Sequence, residues 1–265
     1  MAVNIRFQDV SKVFPTRGAP VAALDGVTFD VHSGEFLVVV GPSGCGKSTL
    51  LDLLGGLATP TSGRILVDEV PVHGPGLDRG IVFQQYALFP WRTARANVEF
   101  GLEAKGVPRR ERVDRARHFL DLVGLTGFGD RYPHELSGGM KQRVAIARSL
   151  AFDPDVLLMD EPFAALDAQT RDSLQDELLR IWAATGKTIV FITHGIEEAV
   201  YLGQRVAVMT SRPGRIKHII DVPITARKVT EDLRSDPMFV RYRHEIWTLL
   251  RDEVRKAQAQ EALVD

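Results

Sequence analysis

The spacing of apolar and polar residues changes several times along the chain. Ile5 to Val10 and Val27 to Val31 alternate apolar and polar side chains, which predicts antiparallel strands with one solvated face. Phe36 to Val40 is a short, continuous apolar run, as expected of a strand buried on both faces of a parallel sheet. Two further strands are predicted at Gly63 to Val67 and at Arg79 to Phe83. The first part of the chain is therefore predicted to contain strands of both kinds.

The middle of the chain has a helical period instead. Between Ala94 and Leu150 apolar residues recur at helical spacing, which predicts a helical lobe entered near Pro90 and Trp91. Strands return at Asp155 to Asp160, Thr188 to Ile192, Arg205 to Met209 and Arg215 to Ile220. We therefore predict an α/β fold with a mostly parallel central sheet, an antiparallel β subdomain and an inserted helical lobe of about residues 92–152.

A helical tail is predicted to follow the main domain. We place the domain at residues 1–220 and the tail at residues 221–265. Apolar residues of the tail fall on one helical stripe, with charges opposite; they are Phe239, Tyr242, Ile246, Leu250 and Val254. We expect the stripe to pack against the domain's own core or against a dimer partner.

Composition limits the classes of function. The 265 residues carry a net charge of −1, so no general positive field attracts nucleic acid. No stretch approaches the roughly 18 apolar residues that a transmembrane helix needs, and residues 1–10 contain no basic-then-apolar secretion signal. The single cysteine, Cys45, excludes an internal disulfide and fits a reducing cytosol. We expect a cytoplasmic protein that does not bind nucleic acid.

A glycine-rich loop follows the buried strand directly, and Lys47 to Leu57 is predicted to be a helix. The residues predicted to bind a nucleoside triphosphate are Gly41, Pro42, Ser43, Gly44, Cys45, Gly46, Lys47, Ser48 and Thr49. Glycines let the backbone curl so that its N–H groups converge on phosphate oxygens. Lys47 adds positive charge for the β- and γ-phosphates, and the Ser48 hydroxyl is placed to ligate Mg²⁺. The strand–loop–helix context favours nucleotide binding over a chance glycine-rich turn.

An acidic pair ends the apolar strand Val156 to Met159. Asp160 can hold the Mg²⁺ shell, and Glu161 is placed where an attacking water would lie. A carboxylate there can accept a proton from the water or orient it toward the γ-phosphate. Such a pair alone also suits a cap or a turn, but together with the loop it indicates triphosphate hydrolysis.

A second anion site is predicted at Ser137, Gly138 and Gly139. These residues open a helix, whose first N–H groups point outward without intrahelical partners. Two sites in one chain that can each bind a triphosphate suggest that two copies face each other and that each closes the other's nucleotide.

The segment Leu136 to Arg143, read together with the phosphate-binding loop, resembles the ATP-binding cassette (ABC) family, and the resemblance extends over about residues 10–216. It implies the P-loop ABC ATPase fold, ATP and Mg²⁺ as ligands, and ATP hydrolysis. It also implies a head-to-tail homodimer with two shared ATP sites, in which Ser137, Gly138 and Gly139 bind the partner's γ-phosphate. ATP would hold the two copies together and ADP would let them part.

The resemblance assigns roles to individual residues at the ends of strands. Glu161 matches the hydrolytic base. Gln84 matches the glutamine that touches Mg²⁺ or water; Gln85 competes for this role, and register against the strand favours Gln84. His194, at the end of another apolar strand, resembles the switch histidine that contacts the γ-phosphate.

Two further segments fit the family. Phe14 aligns with the aromatic residue that stacks on adenine, although a core phenylalanine is the alternative. Ala165 to Asp167 resembles the D-loop, which crosses the dimer interface, and Asp167 equally suits the N-cap of the next helix. Two positions depart from the family's commonest pattern: Met140 stands where glutamine is most frequent, and Gly195 stands where aspartate is common. Neither departure removes a group that hydrolysis needs.

Three longer sequence segments indicate one branch of the family. They are Met159 to Arg171, Glu197 to Leu202 and Arg212 to Arg215, and they resemble bacterial importers of the nitrate, sulfonate, taurine and bicarbonate group. The resemblance implies a peripheral ATPase subunit on the cytoplasmic side of the bacterial cell membrane. Its partners would be integral membrane permease subunits and an extracytoplasmic solute-binding protein.

The segment Tyr86 to Trp91 is apolar and aromatic and follows Gln84. We predict that it forms part of a groove for a short cytoplasmic helix of the permease; packing of the lobe junction is the alternative. A soluble ABC protein of DNA repair or translation is disfavoured because the chain has one cassette, no coiled-coil heptads and no basic groove. A P-loop kinase or a non-hydrolysing sensor is disfavoured because Glu161, His194 and the Ser137 turn are all present.

Overall fold

The computed structural model describes residues 3–16, 18–164, 166–223 and 233–261. Strands and helices alternate along them. The strands are β1 (Ile5–Phe14), β2 (Val21–Val31), β3 (Phe36–Val40), β4 (Ser62–Val67), β5 (Val70–Pro71), β6 (Arg79–Val82), β7 (Val156–Asp160), β8 (Thr188–Thr193), β9 (Arg205–Met209) and β10 (Ile216–Asp221). The α-helices are α1 (Lys47–Leu54), α2 (Ala94–Ala104), α3 (Arg109–Leu122), α4 (Gly138–Ala151), α5 (Ala168–Thr185), α6 (Ile196–Leu202) and α7 (Pro237–Glu261).

The chain divides into two compact units. The first unit comprises Met1–Pro75 together with Gly186–Asp265, and the second comprises Gly76–Thr185. Among the described residues, no helix combines the length and the apolar character that crossing a membrane requires.

One sheet of the first unit is antiparallel, as the alternating pattern predicts. Its strand order is β2-β1-β4-β5. Phe7 pairs with Phe29 across β1 and β2, and their rings stack with centroids 4.4 Å apart. Ile5 and Phe7 are buried whereas Arg6 between them is exposed, so the period of two places one face of the sheet in the core.

The other strands of the first unit build a mostly parallel sheet. β3 pairs in parallel with both β8 and β9, and β10 pairs antiparallel with β9. Every residue of β3 is fully buried, which explains why its sequence is apolar throughout rather than alternating. The helix after β3 is shorter than predicted: α1 ends at Leu54. Together with the parallel pair in the second unit, this arrangement confirms the predicted α/β fold class.

The second unit combines a parallel strand pair with helices. β6 and β7 pair in parallel, and α2, α3 and α4 pack against one another. Thr93 caps α2, because its side chain accepts a hydrogen bond from the Ala96 N–H at 3.2 Å. These three helices occupy the stretch where the sequence has its helical period.

The last helix, α7, packs on the first unit through α6 and β9. Phe239 and Ile246 are buried, whereas Trp247 and Val254 are 45% and 39% exposed. Residues 224–232 and 262–265 of the predicted tail lie outside the described residues.

Candidate active site

The glycine-rich loop joins β3 to α1 in the first unit, and its backbone conformation requires glycine. Gly46, which precedes α1, has φ +104° and ψ +10°, a combination that L residues rarely adopt. A Cβ at Gly46 would lie 2.7 Å from the Ala23 carbonyl oxygen, which is closer than non-bonded atoms approach. Gly44 also has a positive φ, +70°. The loop therefore curls as a phosphate-binding loop must.

Lys47 lies inside this loop. Its ammonium donates to the carbonyl oxygens of Gly41 and Pro42 at 2.9 and 3.0 Å, and its side chain is buried. Ser48 on the first turn of α1 is exposed. No side chain caps the N-terminus of α1, so its first N–H groups can donate hydrogen bonds to an external anion.

Cys45 fills space beneath the loop. It is 1% exposed, and its sulfur lies 2.7 Å from where a Gly41 Cβ would stand. Burial raises the pKa of the Cys45 thiol, against an opposing effect of the nearby Lys47 charge. The thiol is therefore an inert filler of a small position.

His194 lies at the same sheet edge as the loop. Val40, the last residue of β3, pairs with Thr193, the last residue of β8, so Gly41 and His194 both leave the carboxyl ends of adjacent parallel strands. A cavity of about 520 Å³ lies between Gly41–Ser43, His194 and one face of α7. The first unit thus provides room for a ligand next to the loop.

The turn that carries His194 is tied down by Thr193. Its hydroxyl accepts a hydrogen bond from the Gly195 N–H at 2.9 Å and donates to the Glu198 carboxylate in α6. These two bonds hold the turn although glycine follows the histidine. Gly195 therefore does not leave the switch turn unsupported.

Phe14 ends β1 and is 41% exposed. The Lys12 ammonium lies 5.2 Å from its ring centroid, a cation–π distance. The alternative that Phe14 is a core residue is wrong, and its ring is accessible to a flat ligand.

The second unit provides the polar groups that follow β6 and β7. Val82 pairs in parallel with Met159, so Gln84 and the acidic pair leave neighbouring strands at the same edge. Asp160 is the last residue of β7, and Glu161 follows with φ +44°. A non-glycine residue in this left-handed conformation costs about 1–3 kcal/mol and is most often found at functional sites. Gln85 is exposed like Gln84.

The Ser-Gly-Gly turn opens α4 in the second unit. Ser137 is the N-cap, and its hydroxyl accepts a hydrogen bond from the Met140 N–H at 3.3 Å. A Cβ at Gly139 would lie 3.0 Å from the Thr170 methyl, and one at Gly138 would lie 3.3 Å from the Tyr86 hydroxyl. Glycine therefore suits both positions, and their N–H groups belong to the first turn of α4, where N–H groups have no intrahelical partner.

Asp167 caps α5. Its Oδ1 accepts the Thr170 N–H at 2.9 Å, and this bond lowers the pKa of the Asp167 carboxyl. The N-cap reading of Asp167 is therefore correct. Arg171 donates to the carbonyl oxygen of Leu166 at 2.8 Å, which holds the segment before α5. Ala165, the first residue of the predicted D-loop, lies outside the described residues.

Sequence reasoning missed Arg148 in α4. Its guanidinium donates to the carbonyl oxygens of Ala87 and Tyr86 at 2.5 and 3.0 Å, and burial lowers its pKa. Tyr86 and Ala87 both have positive φ, +60° and +46°, so Arg148 holds a strained turn directly after Gln84 and Gln85. The available signal was one arginine within the mostly apolar sequence 144–151.

The predicted Mg²⁺ ligands are Ser48 in the first unit and Gln84 and Asp160 in the second. A hydroxyl, an amide oxygen and a carboxylate are hard oxygen donors that fit Mg²⁺, which commonly takes one or two carboxylates and completes its shell with water and substrate phosphates. Throughout the described part of the chain, no group of three or more His, Cys, Asp or Glu residues is placed to hold a metal.

Comparison with known proteins places these motifs in context. The family model described as "ABC transporter" matches residues 24–164. The nitrate import ATP-binding protein NrtD of Synechocystis is 49% identical, covering 98% of this chain and 99% of the relative. The taurine import ATP-binding protein TauB of Burkholderia pseudomallei is 51% identical, covering 88% and 91%. A solved dimeric ATP-binding cassette in a post-hydrolysis state with ADP and Pi matches with a TM-score of 0.75 and 34% identity, over 82% of this chain and 98% of that one.

Proposed function

This chain belongs to the ABC transporter family of ATPases, and we propose that it powers the import of a small solute through a membrane permease. Relatives that cover almost its whole length are import ATP-binding proteins for nitrate and taurine. We assign the solute to the same class, small anions and zwitterions such as nitrate, sulfonates, taurine and bicarbonate. The subunit works at the cytoplasmic side of the membrane, with a solute-binding protein on the other side.

The observation that carries this function is the set of groups at the strand ends. In the first unit, Lys47 and the N–H groups of the loop bind the β- and γ-phosphates, and His194 contacts the γ-phosphate. Phe14 offers its exposed ring to adenine. Ser48 in the first unit and Asp160 and Gln84 in the second are the residues that would hold Mg²⁺, which would supply positive charge for the phosphates.

Glu161 acts on water. The oxygen of the water attacks the γ-phosphorus while its proton passes to the Glu161 carboxylate, and ADP leaves with the electron pair of the broken P–O bond. The left-handed backbone of Glu161, φ +44°, fixes the direction in which its side chain leaves the strand end.

The active form is a head-to-tail dimer with two shared ATP sites. The first turn of α4 supplies N–H groups, its N-cap Ser137 supplies a hydroxyl, and these close the partner's nucleotide at its γ-phosphate. The dimeric state of the solved relative supports this assembly. ATP bridges the two copies, and hydrolysis removes the bridging phosphate so that they separate.

The permease docks at the aromatic patch, which we define as Phe89, Trp91 and Phe100. Trp91 is 72% exposed and Phe100 is 41% exposed, while the Phe89 ring lies 4.7 Å from Phe100 and 5.6 Å from Trp91. A cluster of three rings, two of them exposed, is the kind of surface that binds an apolar helix face. The backbone beneath it is fixed, because buried Asn97 bonds both the N–H and the carbonyl of Phe89.

The first experiment compares ATP hydrolysis and oligomeric state of the purified wild type and Glu161→Gln. We expect phosphate release by the wild type only, and an ATP-dependent dimer of the variant that size-exclusion chromatography resolves. Hydrolysis by Glu161→Gln at the wild-type rate would contradict Glu161 as the base. A Glu161→Gln variant that stays monomeric at saturating ATP would contradict the claim that two copies of the chain close around ATP without the permease.

The docking site is tested by co-purification with the permease. Trp91→Asp should abolish co-purification and solute uptake, whereas Phe128→Asp, which charges another 41% exposed aromatic residue of the second unit, should leave both intact. Equal behaviour of the two variants would rule out the aromatic patch as the docking site.

A further inference from the structure

The turn between β9 and β10, Ser211 to Arg215, lies against the phosphate-binding loop. Nε and Nη2 of Arg212 donate to the carbonyl oxygen of Gly44 at 3.2 and 3.1 Å. Gly214 has no room for a side chain, because a Cβ there would lie 2.1 Å from the Cys45 carbonyl oxygen. The turn therefore contacts the carbonyls of two consecutive residues of the loop.

These contacts set the direction of two N–H groups. The peptide bonds of the loop are trans, and in a trans peptide the C=O and the following N–H point in opposite directions. The Gly44 carbonyl is bonded to the turn and the Cys45 carbonyl lies against Gly214, so the N–H groups of Cys45 and Gly46 point away from the turn. The Cys45 N–H accordingly reaches across the loop to the Pro42 carbonyl at 3.4 Å. Phosphate binding depends on such converging N–H groups.

The turn is anchored on both sides. At its start, the N–H and hydroxyl of Ser211 donate to the Glu253 carboxylate of α7 at 3.0 and 3.3 Å. Glu253 is 1% exposed and also accepts from Lys217 at 2.9 Å. At its end, the Gly214 N–H donates to the Ala23 carbonyl at 2.9 Å.

We propose that Arg212 is a positioning residue for the phosphate-binding loop and that α7, through Glu253, holds the turn that carries it. The proposal rests on ATP binding by this loop. The proposal gives the segment Arg212 to Arg215 a physical role. Arg212 and Gly214 orient the N–H donors of the loop, and α7 holds the turn in place. ATP affinity therefore depends on a helix far along the chain from the loop.

The test compares Arg212→Gln and Arg212→Lys, with Arg215→Gln as the matched control. Arg215 lies on the same turn but pairs with Asp25. Titration calorimetry gives the Kd for ATP in the absence of Mg²⁺, and steady-state kinetics gives KM and kcat. Arg212→Gln should raise Kd and KM about tenfold, equivalent to about 1.4 kcal/mol, with kcat within about twofold of wild type.

Arg212→Lys separates orientation from charge. An ammonium keeps the positive charge but cannot make the two-nitrogen contact of a guanidinium, so we expect about a threefold rise in Kd. Full recovery by lysine would show that charge alone acts and would overturn the positioning role. An unchanged Kd in Arg212→Gln would also overturn it, whereas a wild type that binds no ATP would instead refute the proposed function.

The role of α7 is tested with Glu253→Gln and the double variant. Glu253→Gln should raise Kd in the same direction, and in the double variant with Arg212→Gln the two effects should be less than additive, because both act through one turn. Circular dichroism establishes that each variant is folded, and Ser211→Ala, which removes only the hydroxyl bond to Glu253, serves if Glu253→Gln does not fold. Independent, additive effects would refute the link to α7.

Discussion

Gly46→Ala tests the geometry of the phosphate-binding loop most directly. The new Cβ would lie 2.7 Å from the Ala23 carbonyl oxygen and 2.8 Å from Cδ2 of Leu24. Overpacking of this kind costs about 1–3 kcal/mol, and φ +104° adds a backbone strain of about 1–3 kcal/mol. We therefore expect Gly46→Ala to lower the free energy of unfolding by about 2–6 kcal/mol.

Gly186→Ala is the matched control. Gly186 belongs to the same unit and also has a positive φ, +59°, but a Cβ there would meet nothing within 4 Å. Its variant carries the backbone strain alone, about 1–2 kcal/mol. Urea unfolding followed by circular dichroism measures both variants, and calorimetry measures ATP binding. Equal unfolding midpoints for the two alanine variants would refute the clash, and wild-type ATP affinity of Gly46→Ala would refute the requirement for glycine in the loop.

Three further predictions concern buried groups. Cys45 is buried and its thiol has a raised pKa. We therefore expect it to react with iodoacetamide at pH 7.5 at least tenfold more slowly than free cysteine, as measured by mass spectrometry. Reaction at the rate of free cysteine would contradict its burial. Burial by itself raises the pKa of Glu253, but hydrogen bonds from Lys217, Lys256 and Ser211 outweigh it and lower the pKa from 4.5 to about 2. The ionised carboxylate therefore stabilises the fold above about pH 4.5, by about 3 kcal/mol, and this contribution is lost as the pH falls toward 2. The difference in the free energy of unfolding between wild type and Glu253→Gln should therefore shrink between pH 7 and pH 3. Arg148→Met should lower the free energy of unfolding, measured in urea, by about 1–3 kcal/mol because it removes charged hydrogen bonds. It should also lower the amount of solute imported per ATP hydrolysed in the reconstituted transporter. An unchanged ratio of import to hydrolysis would contradict the role of Arg148.

The parts of the fold that local patterns encode were predictable. The alternation in Ile5 to Val10 and the apolar run Phe36 to Val40 each report the burial of their own residues, so they predicted β1 and β3. The loop at Gly41 to Thr49 was recognisable because its glycines and Lys47 act within one short segment. Motif residues that follow strands could be placed at strand ends for the same reason.

The parts that long-range contacts create were not predictable. The bonds from Arg148 to Ala87 and from Arg212 to Gly44 span 61 and 168 residues, and neither residue shows its partner in its own neighbourhood. The positive φ of Glu161 was likewise not predictable, because glutamate has no preference for this conformation. Side chains that orient a site are thus harder to find from sequence than those that touch the ligand.

In the proposed function, the second unit carries both the docking surface and α4, the helix proposed to close the partner's nucleotide. Asn97 is fully buried and bonds the backbone of the aromatic patch at Phe89. The patch therefore cannot move independently of α2, the helix that carries Asn97. Arg148 bonds the strained turn at Tyr86 and Ala87 to α4, the helix that begins with the Ser-Gly-Gly turn. A permease helix at the proposed docking site would therefore act on α4 through a short series of hydrogen bonds within one unit. Because a packed unit transmits strain, the proposed docking and the proposed dimer would couple permease movement to closure over ATP in both directions, and binding energy at either end would shift the other.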